Sequence, residues 1–194
     1  KVLNQVAPKT YSFFIVLNSS IRGPFLPKYW PRERDWFEGV ASLLRGDVKL
    51  VGLAINCPDG AGRKIPHVMS MLLCFDEEAR ALAVRRGIFE CAADYKTAVR
   101  REGDLSRLIL EAGFNIDSMQ SSYVAHDWRA WFRRNGQTKL VRLTNGFKGC
   151  EGVELDIFYK PEWYSGMNPS PMEFMFLKMN RKGFEAQLDE YAGH

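Results

Sequence analysis

No run in the chain comes close to the roughly 20 consecutive apolar residues of a membrane span. There is no G-x-x-x-x-G-K phosphate loop and no G-x-S-x-G nucleophile elbow, which removes the common nucleotidase and hydrolase chemistries. Cysteine is sparse. Cys57, Cys74, Cys91 and Cys150 are far apart with no C-x-x-C pair, so nothing resembles a zinc site. That spacing predicts reduced, structural cysteines, with Cys74, inside MSMLLCF, in the core. Basic residues form no stripe: a net charge of +4 is spread along the chain. This argues against nucleic acid as a partner and suits a small anion such as a nucleotide diphosphate. Internal repeats and low-complexity tracts are missing too. The first residue is lysine rather than methionine, so nothing about targeting is taken from that end.

What is present is a chain of 194 residues, 46% hydrophobic and 26% charged, long enough to bury a substantial core in one domain over 1–194. Residues 11–17, an almost unbroken apolar run, predict a strand buried on both faces. After a Gly-Pro loop, Asp35 is a candidate cap for a helix carrying Trp36, Phe37, Val40, Leu43 and Leu44 at helical spacing, stopped by Gly46. Strands are expected over 48–56 and 67–76, with an exposed turn at 57–64 between them. A helix over 77–86 follows, then a connection with a short helix. The strongest helical pattern is DLSRLILEAGFNI, 104–116, with Asp104 as its cap and Gly113 at its end. A short strand over 115–119, the group AHDWRAWFRRNG and a core segment over 170–181 complete the reading. Alternating strands and helices make the fold class α/β.

The stretch YSFFIVLNSSIRGPF ends a buried strand in a polar triplet, Asn18, Ser19 and Ser20, then Arg22 and Gly23. In open α/β folds, ligands bind at the carboxyl ends of strands. Read from the residues alone, the triplet is either a ligand loop or a hydrogen-bonded turn.

Several segments in series carry a resemblance: FIVLNSSIRGPFLPKYWP, VKLVGLAINCP, PHVMSMLLCFD, LSRLILEAGFNI, HDWR and MEFMFLKMNR. Together they resemble glycosyltransferase-like proteins of algae and bacteria and, more distantly, are similar to the rhamnan synthesis F proteins. The resemblance implies a GT-A-like fold, a nucleotide-diphospho-sugar transferase sandwich. In that fold a D-x-D-like motif at a strand end holds a divalent metal against the donor's diphosphate. Here Asn18-Ser19-Ser20 stands at that position, so Asn18 and Ser20 are the candidate ligands for Mn²⁺ or Mg²⁺. Neutral oxygens bind these hard cations less strongly than carboxylates do. Arg22 and backbone N–H groups, with Gly23 permitting close approach, are the alternative partners of the diphosphate.

The resemblance also implies a catalytic base. Inverting GT-A enzymes commonly carry an acidic residue three positions before the leucine that begins a helix, and Glu102 stands three before Leu105. A positioned carboxylate can accept the acceptor's proton as its oxygen attacks the anomeric carbon; the bland role for Glu102 is helix capping. His67, Asp127, Trp128 and Arg129 are candidates for binding sugar or phosphate, or, equally, for packing. The first strand already ends in the diphosphate motif. The resemblance therefore implies that the amino-terminal strand–helix–strand unit of the fold is missing, to be completed by an upstream segment or a protein partner. The expected reaction is inverting transfer of a hexosyl or deoxyhexosyl group from a nucleoside-diphosphate sugar to a carbohydrate acceptor. The alternative is a non-catalytic carbohydrate-binding or scaffold subunit. The compartment implied is the Golgi lumen in a eukaryote and the cytoplasm in a bacterium.

Overall fold

The computed structural model describes residues 2–59, 62–135, 141–142, 148–181 and 183–192. Its centre is a mixed four-stranded sheet. After a short helix α1 (Val2–Gln5) come β1 (Phe13–Leu17), β2 (Ile21–Arg22), α2 (Trp36–Ala41), β3 (Val48–Gly52), β4 (Ile55–Asn56), β5 (His67–Val68), β6 (Leu72–Asp76), α3 (Glu77–Arg85), α4 (Tyr95–Glu111) and β7 (Asn115–Ser118). The central order is β1-β6-β3-β7. β6 runs antiparallel to both β1 and β3, whereas β3 and β7 are parallel. β1, β3 and β7 therefore point the same way, and their carboxyl ends share one edge of the sheet.

Alternation along the strands divides the core in two. Phe14, Leu50, Phe75 and Ile116 face α3 and α4, packing with Ala79, Ala83, Leu105 and Ile109. Val51 and Cys74 face the other way, toward α2 and the carboxyl-terminal segment, where Val40, Phe174, Phe176, Leu177 and Leu188 pack. That segment comprises α6 (Pro171–Phe174), β10 (Leu177–Lys178) and α7 (Glu185–Ala192); before it come α5 (Trp128–Asn135), whose Trp128 and Trp131 join the α3/α4 side, β8 (Val141–Arg142) and β9 (Lys148–Gly149). The class is mixed α/β.

Several sequence expectations need correction. β1 is not buried on both faces. It is an edge strand, pairing with β6 alone among the described residues, and only Phe14 is fully buried. The expected strands 48–56 and 67–76 each break in two, and β4 and β5 pair with one another (Ile55 with Val68, Asn56 with His67) as a small separate ribbon. α4 begins nine residues before Asp104. Asp94 is its cap, accepting from the Thr97 N–H at 2.7 Å. Asp104 sits mid-helix instead, paired with Arg63 at 2.8 Å and Arg107 at 3.1 Å. A helix runs through the charged YKTAVRREGD because the chain there packs at Gly103. A β-carbon on Gly103 would meet the buried Asp59 carboxylate 2.6 Å away, so the missing side chain lets this acid dock.

Two of the four cysteines are not reduced. Cys57 and Cys150 form a disulfide across 93 residues, with their α-carbons 5.5 Å apart. Both are buried, so the 57–64 stretch is not simply an exposed turn. Such bridges persist in oxidising compartments. Cys74 and Cys91 are free; burial pushes the Cys74 thiol up to about 12.

Candidate functional site

A cleft of about 480 Å³ opens at the shared carboxyl edge of β1, β3 and β7. Three local devices build it. First, the chain leaving β1 turns sharply. Asn18 Oδ1 accepts from the Ser20 N–H at 2.9 Å, and the Asn18 N–H donates to the Met71 carbonyl at 2.9 Å. This is an Asx turn, and it presents Asn18 and Ser20 to the cleft.

Second, α4 is docked on β5 and the turn that follows it by two polar bonds. The Val68 N–H donates to Ser106 Oγ at 2.9 Å and the Ser70 N–H to Glu102 Oε1 at 2.6 Å. Residues four apart on a helix share a face, so Glu102 and Ser106 both meet the chain at and just after β5. Glu102 is thereby held at the cleft with one oxygen engaged. Oε2 accepts no hydrogen bond from the described residues. His67, almost fully buried in β5, lines the same space. Its Nδ1 is 3.1 Å from the Ile65 carbonyl. A carbonyl only accepts, so Nδ1 is the donor in this contact.

Third, β10 pairs antiparallel with β2, Leu177 with Arg22 and Lys178 with Ile21, and the Met179 N–H extends the ladder to the Ser20 carbonyl at 2.8 Å. This ladder brings Lys178, Asn180 and Arg181 beside the Asn18–Ser20 turn. Lys178 is half-buried and has no ion-pair partner among the described residues; burial lowers its pKa below the usual lysine value, against weaker opposing pulls from Asp156 and Glu102. Arg181 reaches Asp156 at 3.4 Å, lies over the Tyr159 ring at 5.2 Å, and has a buried Nε without a hydrogen-bond partner. Asn56 Oδ1, also in the lining, is buried and unpaired. Tyr95, 82% exposed at the first turn of α4, stands at the rim.

Of the residues singled out from the sequence, Asn18, Ser20, His67 and Glu102 converge on this cleft. The others do not. Ser19 is exposed beside it, and Arg22 is an exposed strand residue outside the lining. Gly23, at φ +145°, spends its freedom on packing. A β-carbon there would come within 2.7 Å of Phe176 and also strike the Met175 carbonyl, so its close approach is to protein.

Asp127, Trp128 and Arg129 lie at the opposite edge, by the amino ends of β3 and β7. Arg129 bridges Asp127 and Asp47, and the Trp128 N–H donates to Asn115 Oδ1 at 2.9 Å. The Trp128 ring is wholly buried against Tyr123, His126 and Trp131. This group ties α5 to the sheet and lies outside the cleft lining.

Lys178, Arg181 and Asp156 were missed in the sequence. Their one available signal was a lysine inside the apolar run FMFLKMNR, where a charge needs a partner or a cavity. Asn18 and Ser20 do not by themselves make a site for a hard divalent cation. Both are neutral, Asn18 Oδ1 already accepts a hydrogen bond, and the cleft's Asp156 is paired with Arg181. No cluster of three or more His, Cys, Asp or Glu among the described residues is arranged to hold a metal. Compared with protein-family models, curated proteins and solved structures, the chain matches none.

Proposed function

We propose that the protein is a glycosyltransferase with a GT-A-like fold that moves a sugar, with inversion, from a nucleoside-diphosphate sugar to a carbohydrate acceptor. The observation that carries the reading is Lys178, a half-buried ammonium without an ion-pair partner, in a polar cleft that also holds the anchored carboxylate Glu102. An unpaired buried cation is unfavourable unless an anion completes it. The position at the carboxyl ends of co-directed strands is where open α/β folds take ligands.

In this reading the donor's diphosphate lies against Lys178 and Arg181, with Asn18, Ser20 and Asn56 supplying hydrogen bonds. The Tyr95 ring is available for stacking at the rim. The acceptor oxygen attacks the anomeric carbon from the face opposite the diphosphate, and its proton passes to the free oxygen of Glu102. The bond from the anomeric carbon to the diphosphate oxygen breaks, and the electron pair leaves with the diphosphate. Lys178 and Arg181 meet the charge that develops there, the role a metal plays where carboxylates hold one. Burial strengthens this stabilisation, because a partly desolvated cation interacts more strongly than one in water.

Calorimetric titration with UDP-, GDP- and dTDP-sugars, with and without Mn²⁺, tests the donor site, and turnover assays test the base. One donor is expected to bind without a metal requirement, with at least tenfold weaker binding in Lys178→Met. Glu102→Gln keeps the acceptor for the Ser70 N–H, so donor affinity should hold within threefold while turnover falls at least a hundredfold. Binding without turnover in the wild-type protein would favour a carbohydrate-binding subunit. No binding of any sugar nucleotide would overturn the donor site altogether.

A further inference from the structure

A second cavity of about 260 Å³ lies against the first. Ser70, Ala98 and Glu102 line both, so the two spaces meet across one turn of α4 and the residue that hydrogen-bonds Glu102. Their chemistries differ sharply. The large cleft has some apolar lining, from Met69, Met71 and Val99, but also three amides, three hydroxyls, His67, two cations and Asp156. The small one is lined mainly by Val68, Leu73, Ile88, Phe89 and Leu105, and Glu102 is its only carboxylate. Leu73, Ile88 and Phe89 are only partly buried, so apolar surface faces the cavity rather than being consumed by the core. The Phe89 ring stacks on Phe75 at 5.3 Å, and Arg101 closes the segment over α4 by donating to the Glu90 carbonyl. The wall is built, not a chance gap in a loop.

We infer that this cavity is the acceptor subsite, and that it selects an alcohol flanked by an apolar ring face or chain. The inference rests on the transferase reading, since it assigns the partner on the far side of Glu102. A base that takes the acceptor's proton must touch the acceptor, and the reacting carbon must lie between donor and acceptor. Glu102 is the one ionisable residue with a place in both spaces, so the polar cleft takes the charged donor and the apolar cavity takes the acceptor. Its volume is below the roughly 300–1,000 Å³ of pockets that hold a drug-sized ligand. It therefore accommodates one ring or a short chain beside the reacting hydroxyl rather than an extended polar saccharide. Away from Ser70, Arg101 and Glu102, the aliphatic and aromatic walls give a sugar's hydroxyls nothing to bond with, and an unpaired buried hydroxyl weakens binding. They reward an apolar flank.

The test compares methyl, phenyl and octyl glycosides of one sugar as acceptors for the intact protein, with donor affinity measured in parallel. The phenyl or octyl glycoside should show a KM at least tenfold below that of the methyl glycoside, phenyl leading if a ring face is read and octyl if a chain is. In Ile88→Asn, and separately in Phe89→Ala, that advantage should shrink below threefold while donor affinity stays within twofold. Equal KM values for all three glycosides, with donor binding intact, would overturn the acceptor assignment and leave the transferase standing. If no donor binds, the transferase reading fails, and direct titration of the phenyl and octyl glycosides decides what remains. Binding lost in Ile88→Asn would keep an apolar glycoside site, and no binding would remove it.

Discussion

Replacing both Cys57 and Cys150 by alanine removes one constraint from the unfolded chain and little from the folded one. A bridge closing 93 residues withdraws loop entropy worth about 4.6 kcal/mol at 25 °C on the chain-entropy relation. In a chain of 194 residues, that loss should lower the melting temperature by roughly 9–18 °C, at 2–4 °C per kcal/mol. The expected stability is a large share of the 5–15 kcal/mol typical of a native domain. Urea unfolding followed by the fluorescence of five tryptophans measures it, with the reduced wild type as a second arm that should match the double variant. Thiol counting under denaturing, non-reducing conditions should find two free cysteines, Cys74 and Cys91. A loss below 1 kcal/mol, or four free thiols in the native protein, would refute the reasoning. The same variant should bind its ligand more weakly. Cys57 follows Asn56 of the cleft, and its N–H donates to the Glu154 carbonyl at 3.3 Å, so the bridge also keeps Asp156 in place.

Gly103→Ala gains helix propensity of about 1 kcal/mol, yet the new methyl group meets the buried Asp59 at its β-carbon, 2.9 Å away, as well as its carboxylate. Net destabilisation of about 1–3 kcal/mol is expected, read by urea unfolding; an unchanged midpoint would show that Asp59 can move aside freely. Anion binding through Lys178 needs its proton. Because burial lowers that pKa, affinity should fall with rising pH below the range of an ordinary lysine, and Lys178→Arg should carry binding to higher pH; identical pH profiles would exclude Lys178 from the ligand. Arg129 and the Arg129 and Ala130 N–H groups hold Asp127 down at about 2. Its contribution is present above the unfolded value near 3.9 and is lost as pH falls toward 2. Asp127 is well exposed, so Asp127→Asn should cost below 1 kcal/mol at pH 7 and progressively less as pH falls through about 2, as followed by acid titration of stability.

What the sequence made legible was local. β3, β6, α3 and β7 follow from apolar periodicity and turn residues within a few positions; Asn18, Ser20 and His67 stand out because each adjoins such an element, and Glu102 through the resemblance alone. What it hid was long-range. The disulfide has no spacing signature, since only the folded sheet brings residues 57 and 150 together. α4 was cut short because YKTAVRREGD has no apolar stripe; Asp94 and the docking of Asp59 at Gly103 support a helix there that propensity does not announce. Lys178 and Arg181 were absorbed into an apolar run, because a two-residue strand such as β10 is too short for alternation to show. Trp128 was attractive as a sugar platform for its chemistry, and only tertiary packing shows its ring enclosed.

The pairing of β10 with β2 has a consequence for how the protein comes into being. Strand β2 leaves the ribosome about 155 residues before β10, a wait of roughly 8–30 s at 5–20 residues per second. β1 is already made, β3, β6 and β7 follow within that interval, and Glu102 can already be docked beside β5. The nascent chain thus carries the carboxylate side of the cleft and lacks Lys178 and Arg181 until β10 and the residues after it are made. The proposed anion site is therefore completed only after β10 by the order of the elements, and any product broken off before Lys178 would be a sheet with an acidic, anion-repelling mouth.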